Sequence, residues 1–181
     1  IAREETMEST IMQDEMYKVM PVLDPDGSDS ARLDNCLEFL VLNGIPLPMA
    51  VMITIPEPWE NDRAMSQEKK DFYQYYATMM EPWDGPASIL FTDGELMGAV
   101  LDRNGLRPSR YYITDDDYLV LSSEVGVLDV DPSKIVKKDR LRPGKMLLVD
   151  TVNGRLISDE EIKEKYALAK PYGEWVDSNL V

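Results

Sequence analysis

The chain has 181 residues and a net charge of −15, from 19 Lys and Arg against 34 Asp and Glu. That length supports one domain with a real core and is short for two, and the acid excess argues against nucleic acid and membrane surfaces as partners. A single cysteine, Cys36, and no histidine exclude a disulfide framework, a multi-cysteine metal site and Ser-His or Cys-His catalysis within these residues.

Residues 1–27 read as an acidic lead-in that ends in the turn Asp24-Pro25-Asp26-Gly27. A mainly helical stretch is expected over residues 28–80. Ser28 or Ser30 can cap the first helix by accepting from a free backbone N–H. Leu33, Leu37, Leu40 and Val41 then recur on one face, and Asn43-Gly44 stops the helix. Residues 47–55 form the longest apolar run, well short of the ~20 needed to span a bilayer. Pro48 suits the first turn of a helix, whereas Val51, Ile53 and Ile55 favour a strand; the balance leans to helix. Ser66 caps a further helix reaching about Met80, with Phe72, Tyr75, Tyr76 and Met79 on one side. That stripe fits core or interface packing better than a stacking platform for a cofactor.

Residues 87–157 change texture, with short apolar runs alternating with turns. Residues 89–92 and 96–101 flank Asp93-Gly94, a strong hairpin signal. Residues 111–114 and 118–121 flank three aspartates. Residues 145–149 and 155–157 flank Asn153-Gly154. Ser158 with Glu161 makes a capping box that opens a C-terminal helix and tail over residues 158–181. Helices first and a strand meander after imply an α+β fold with antiparallel sheets in a single domain.

Few residues offer chemistry. Asp29 lies between two serines at a helix start, where free N–H groups and the helix dipole favour a carboxylate. It is either a plain N-cap cluster or a carboxylate that holds a substrate ammonium. The segment 102–110 carries Arg103, Arg107 and Arg110 around a Gly turn. These can fork onto a carboxylate or phosphate or pair with local acids, and the structural reading is favoured. Cys36 lies on or beside an apolar helix face, with nothing adjacent to lower its pKa, and reads as a buried, inert thiol. Asp115, Asp116 and Asp117 read as a hairpin tip, since their spacing fits no calcium loop.

Several stretches, taken in order, resemble the C-terminal part of the class II glutamine amidotransferase domain of glutamate synthase large subunits. They include Gly27-Ser28-Asp29-Ser30-Ala31-Arg32, Glu81-Pro82-Trp83-Asp84-Gly85-Pro86, the segment 102–110, Ser123-Glu124-Val125-Gly126, Leu141-Arg142-Pro143-Gly144 and Ser158-Asp159-Glu160-Glu161. The resemblance covers nearly the whole chain. It implies part of an N-terminal-nucleophile hydrolase fold, a four-layer αββα sandwich with two antiparallel sheets. It also implies hydrolysis of L-glutamine by an N-terminal cysteine whose own amino group is the base, with an Asn-Gly pair as oxyanion hole. The released ammonia would reach 2-oxoglutarate at a second site served by FMN and an iron–sulfur cluster elsewhere in the parent enzyme.

Residue by residue, the resemblance assigns Asp29 to the α-ammonium of glutamine, with Ser28 and Gly27 shaping the pocket wall. No catalytic, cofactor or metal ligand is assigned: the family's nucleophile, oxyanion pair and carboxylate-binding arginine fall upstream of the Ser-Asp-Ser segment. Because the chain begins at Ile1 without methionine, we expect a fragment that is inactive alone and exposes apolar surface. Its partners would be L-glutamine and the remaining domains of the large subunit, in the cytoplasm or a plastid stroma. The alternative is a stand-alone, non-catalytic glutamine-binding or interaction module with the same fold.

Overall fold

A computed structural model describes residues 7–179 of the chain. The backbone separates into two compact units, one of residues 1–83 with 160–181 and one of residues 84–159. Length bounds the core but cannot register that the chain leaves one unit and later returns to it.

In the first unit, a 3₁₀ turn at Gln13–Lys18 precedes helix α1 (Asp29–Leu42). Ser28 caps α1 by accepting from the Ala31 N–H at 3.2 Å, and Gly44 ends it at φ 82°. Leu33, Cys36, Leu37, Phe39 and Leu40 are buried, whereas Val41 is 39% exposed. The apolar arc turns toward Cys36 and Phe39, away from the Val41 edge that the spacing suggested.

Helix α2 (Leu47–Thr54) is buried from Pro48 through Thr54. A helix apolar on every side is a core helix, which decides the strand-or-helix ambiguity. Helix α3 (Gln67–Ala77) is capped by Ser66 and stops before Met80, where the Thr78 hydroxyl donates to the Tyr75 carbonyl at 2.6 Å. Two helices close the chain, α4 (Asp159–Ala167) and α5 (Tyr172–Asn179). The residues expected as a tail therefore form a helix, anchored by buried Tyr172 and Val176; two anchors in eight residues give too weak a period to read. The α3 rings pack on it, Phe72 against Tyr172 at 5.3 Å and Tyr75 against Trp175 at 5.2 Å. Met79 stays exposed, so the packed stripe is aromatic only.

The second unit holds β1 (Ser88–Thr92), β2 (Leu96–Leu101), β3 (Arg110–Thr114), β4 (Leu119–Ser122), β5 (Ile135–Arg140), β6 (Met146–Asp150) and β7 (Arg155–Ile157). They form a four-stranded sheet, β1-β2-β6-β7, and a three-stranded sheet, β4-β3-β5. Every strand pair is antiparallel, so the expected α+β class with antiparallel sheets is what the chain adopts. Strand β5 is absent from the sequence reading. Its Lys137-Lys138-Asp139-Arg140 run has no apolar alternation, and its side chains are exposed, as suits an edge strand protected from stray pairing.

The sheets pack through Ala99, Leu101 and Leu147 of the first against Tyr111 of the second, with Leu141 between and Ile113, Leu119 and Leu121 at the margin. Farther along the same face of the first sheet, Leu90 is 64% and Met97 56% exposed. On the opposite face Phe91 lies over Gly98, its register partner. A Cβ at Gly98 would stand 2.1 Å from the ring, so only glycine fits.

Candidate functional site

The Asp24–Gly27 turn delivers the chain to the start of α1. The Asp24 carbonyl accepts from the Gly27 N–H at 3.1 Å and from Arg32 Nε at 3.0 Å, while Arg32 Nη2 donates to the Pro25 carbonyl. Asn35 Oδ1 accepts from the Asp24 N–H at 3.1 Å. A helix arginine and a helix asparagine thus fold the turn back on its own helix. At Gly27 an added Cβ would meet Asp24 at 3.2 Å and Ala31 at 3.4 Å, so glycine lets the turn close against α1.

Ser28, Asp29 and Ser30 stand exposed at this rim, and Gly27 is half-buried. The two serine hydroxyls lie 3.0 Å apart. One hydroxyl oxygen is committed to the Ala31 N–H, which leaves Asp29 as the charged group of the trio. Its carboxylate forms no hydrogen bond or ion pair with another described residue. It sits in the first turn of a fourteen-residue helix, where backbone N–H dipoles stabilise negative charge. Such a carboxylate can take an ammonium group by charge-assisted hydrogen bonds.

Trp83 fixes the backbone beneath it. Its indole Nε1 donates to the Asp29 carbonyl at 3.3 Å, and its backbone N–H donates to the Thr54 carbonyl at 2.7 Å. One residue therefore ties the Asp29 backbone to the end of α2. Sequence reasoning noted the Glu81-Pro82-Trp83 stretch but gave Trp83 no role; the signal available was an indole among prolines.

The other candidates are occupied structurally. The Cys36 thiol is fully buried and points at Met80 Sδ, 3.7 Å away, so it is no nucleophile. Asn43 caps α1, its Nδ2 donating to the Phe39 carbonyl at 2.7 Å. Asn104-Gly105 belongs to a turn centred on buried Asp102. There the Asp102 carboxylate accepts from the Ala87 N–H at 3.1 Å and the Asn104 N–H at 2.9 Å, while its carbonyl accepts from Gly105 and Gly144. Asp116 pairs with Lys134 at 3.7 Å, and Asp117 takes φ 64°, which is a hairpin tip. Among the described residues no group of three or more His, Cys, Asp or Glu could hold a metal ion, and no helix is long and apolar enough to cross a membrane.

Comparison with known proteins places these residues in context. The family model for class-II glutamine amidotransferases matches residues 1–175. The chain is 51% identical over 180 residues to the glutamate synthase [NADPH] large chain of Bacillus subtilis, covering 99% of the chain and 12% of that protein. It is 48% identical to a glutamate synthase [NADH] of Schizosaccharomyces pombe, over 99% of the chain and 9% of that protein. It is 45% identical to a ferredoxin-dependent, chloroplastic glutamate synthase of Oryza sativa subsp. japonica, over 98% of the chain and 11% of that protein. The chain thus spans about a tenth of the length of the curated relatives it matches.

Proposed function

We propose that this chain, which belongs to the class-II glutamine amidotransferase family, is the part of a glutamate synthase glutaminase domain that grips the amino end of L-glutamine. The observation that carries the reading is the Asp29 carboxylate: exposed, on the rim of a helix N-terminus, without a partner among the described residues, and backed by Trp83. In the parent reaction glutamine is hydrolysed to glutamate and ammonia, and the ammonia goes on to 2-oxoglutarate. Asp29 would accept hydrogen bonds from the α-ammonium, with Gly27 and Ser28 forming the wall beside it. Holding that end fixes where the side-chain amide lies and so serves orientation.

The thiol that attacks the amide is not among these residues, because the one cysteine is sealed in the core. The chain by itself therefore leaves glutamine intact. A chain with one cysteine and no histidine does not fit the ligand set of an iron–sulfur cluster, so the cluster would belong to another part of the parent protein, and we assign FMN to that second site with it. The stacked antiparallel sheets support the inner layers of an αββα N-terminal-nucleophile sandwich. Partners are then L-glutamine and the rest of the same large chain, in the cytoplasm or, in a photosynthetic eukaryote, the plastid stroma.

Glutaramate, which is glutamine without its α-amino group, tests the assignment in the full-length enzyme. Wild type should prefer glutamine over glutaramate in kcat/KM by about 10- to 100-fold, the worth of a hydrogen bond to a charged group. Asp29→Asn should lose most of that preference by raising KM for glutamine while leaving glutaramate unaffected. A preference unchanged in Asp29→Asn removes Asp29 from the site.

A further inference from the structure

We propose that the end of the three-stranded sheet where β3 begins and β4 and β5 finish is a docking surface for an acidic protein segment that also carries apolar side chains. The proposal stands apart from the role of Asp29.

The first observation is a row of like charges. In register, Ser122, Arg110 and Arg140 lie side by side across β4, β3 and β5, and Lys138 follows Arg140 on the same face. Residues opposite one another in antiparallel strands stand about 5 Å apart, and like charges so placed are destabilising. Both arginines are exposed, and neither forms an ion pair with a described residue. The acid nearest in sequence, Asp139, belongs to the other face, where it accepts from the Tyr111 hydroxyl at 3.4 Å. In a chain of net charge −15, acids are plentiful, yet none among the described residues forms an ion pair with these two arginines. A carboxylate supplied from outside would relieve the repulsion, and arginine forks match carboxylates in pairs.

The second observation is apolar. The loop leaving β4 exposes Val125 by 78%, Val127 by 62% and Leu128 by 55%, and the loop entering β3 exposes Leu106 by 68%. Both loops spring from the end of the sheet that carries the arginine row. The entering loop is held in shape: Gly105, at φ 58°, packs so closely on Pro143 that a Cβ would stand 2.5 Å from its ring. A fixed loop presenting leucine beside arginine is preorganised for protein. The exposed aliphatic side chains do not suit a bare phosphate backbone. Acids outnumber bases in the chain as a whole, so a basic row at this end favours one orientation of an acidic partner.

A photo-crosslinking amino acid at position 106 or 128 of the full-length protein tests this, with the attached peptide identified by mass spectrometry. The expected product is a peptide with more acidic than basic residues. Its yield should fall about tenfold in Arg110→Glu/Arg140→Glu and stay unchanged in Arg63→Glu, an exposed arginine of the other unit. Arg110→Gln/Arg140→Gln, which removes the repulsion without reversing charge, should not lower the melting temperature and should still lose several-fold of the yield. No cross-link at either position, a neutral or basic peptide, or equal loss in Arg63→Glu overturns the proposal.

Discussion

Glu57, just after α2, is 7% exposed and draws three donors onto one carboxylate. Tyr73 donates its hydroxyl at 3.0 Å, Lys163 approaches to 3.0 Å and Lys69 to 3.3 Å. The Lys163 side chain is only 3% exposed, so little water reaches its ammonium. The cluster joins α3, α4 and the connection after α2 at one atom. Glu57→Gln keeps the shape and removes the charge, leaving two ammonium groups facing an amide. A loss of about 3 kcal/mol follows from breaking a buried pair on one side, measurable by urea unfolding. A change within error would mean that acceptors other than Glu57 hold the lysines' charge.

At this scale the turn and cap at Gly27-Ser28-Asp29-Ser30 were legible as a local pattern, whereas a binding role for Asp29 came only from the family resemblance. The Trp83 contact was not legible, because it joins residues 54 positions apart, and nothing local in the sequence marks the acceptor carbonyl.

Among the elements, the β6–β7 hairpin is closed by a side-chain device. Asp150 accepts from Asn153 Nδ2 at 2.7 Å and from the Asn153 N–H at 2.9 Å. The Asn153 side chain first, then its backbone N–H, hold the Asp150 carboxyl below the usual aspartate value. A carboxyl lowered on folding stabilises the hairpin above its unfolded pKa of about 3.9. That contribution is lost as pH falls through the lower folded value. Asn153→Ala should move the Asp150 titration, followed by NMR of the side-chain carboxyl, back toward the ordinary value. The difference in hairpin stability between the two proteins should then be constant near neutral pH and shrink in that acid window. An unshifted titration would assign the lowering to another group.

The three hairpins with strong turn signals were legible for the same reason: Asp-Gly, Asn-Gly and an aspartate run fix a local geometry. Strand β5 pairs with β3 over a long loop, and helix α5 is specified by rings on α3. Pairing at that distance is set by tertiary packing, which local pattern does not encode.

At the scale of the whole molecule, the strand unit is an insertion in the helical one. Its entry and exit lie together: Ser88 opens β1 opposite Leu101, Val100 lies opposite Met146, and the Asp159 carboxylate accepts from the Met146 N–H at 2.8 Å. Adjacent ends let one unit interrupt another without tearing it. The helical unit then depends on its last segment returning to close it. Tyr172, 1% exposed, does so, with its ring near those of Phe72, Tyr75, Tyr76 and Trp175. Truncating such a ring costs about 3–5 kcal/mol, against a total of about 5–15 kcal/mol for a domain. Tyr172→Ala should therefore open the helical unit selectively. In residue-resolved hydrogen exchange, amides of α1 to α3 should lose protection while those of β2 and β6 keep theirs. Equal loss in both sets would mean that the units unfold as one, and that α5 closes the entire chain rather than the part it packs on.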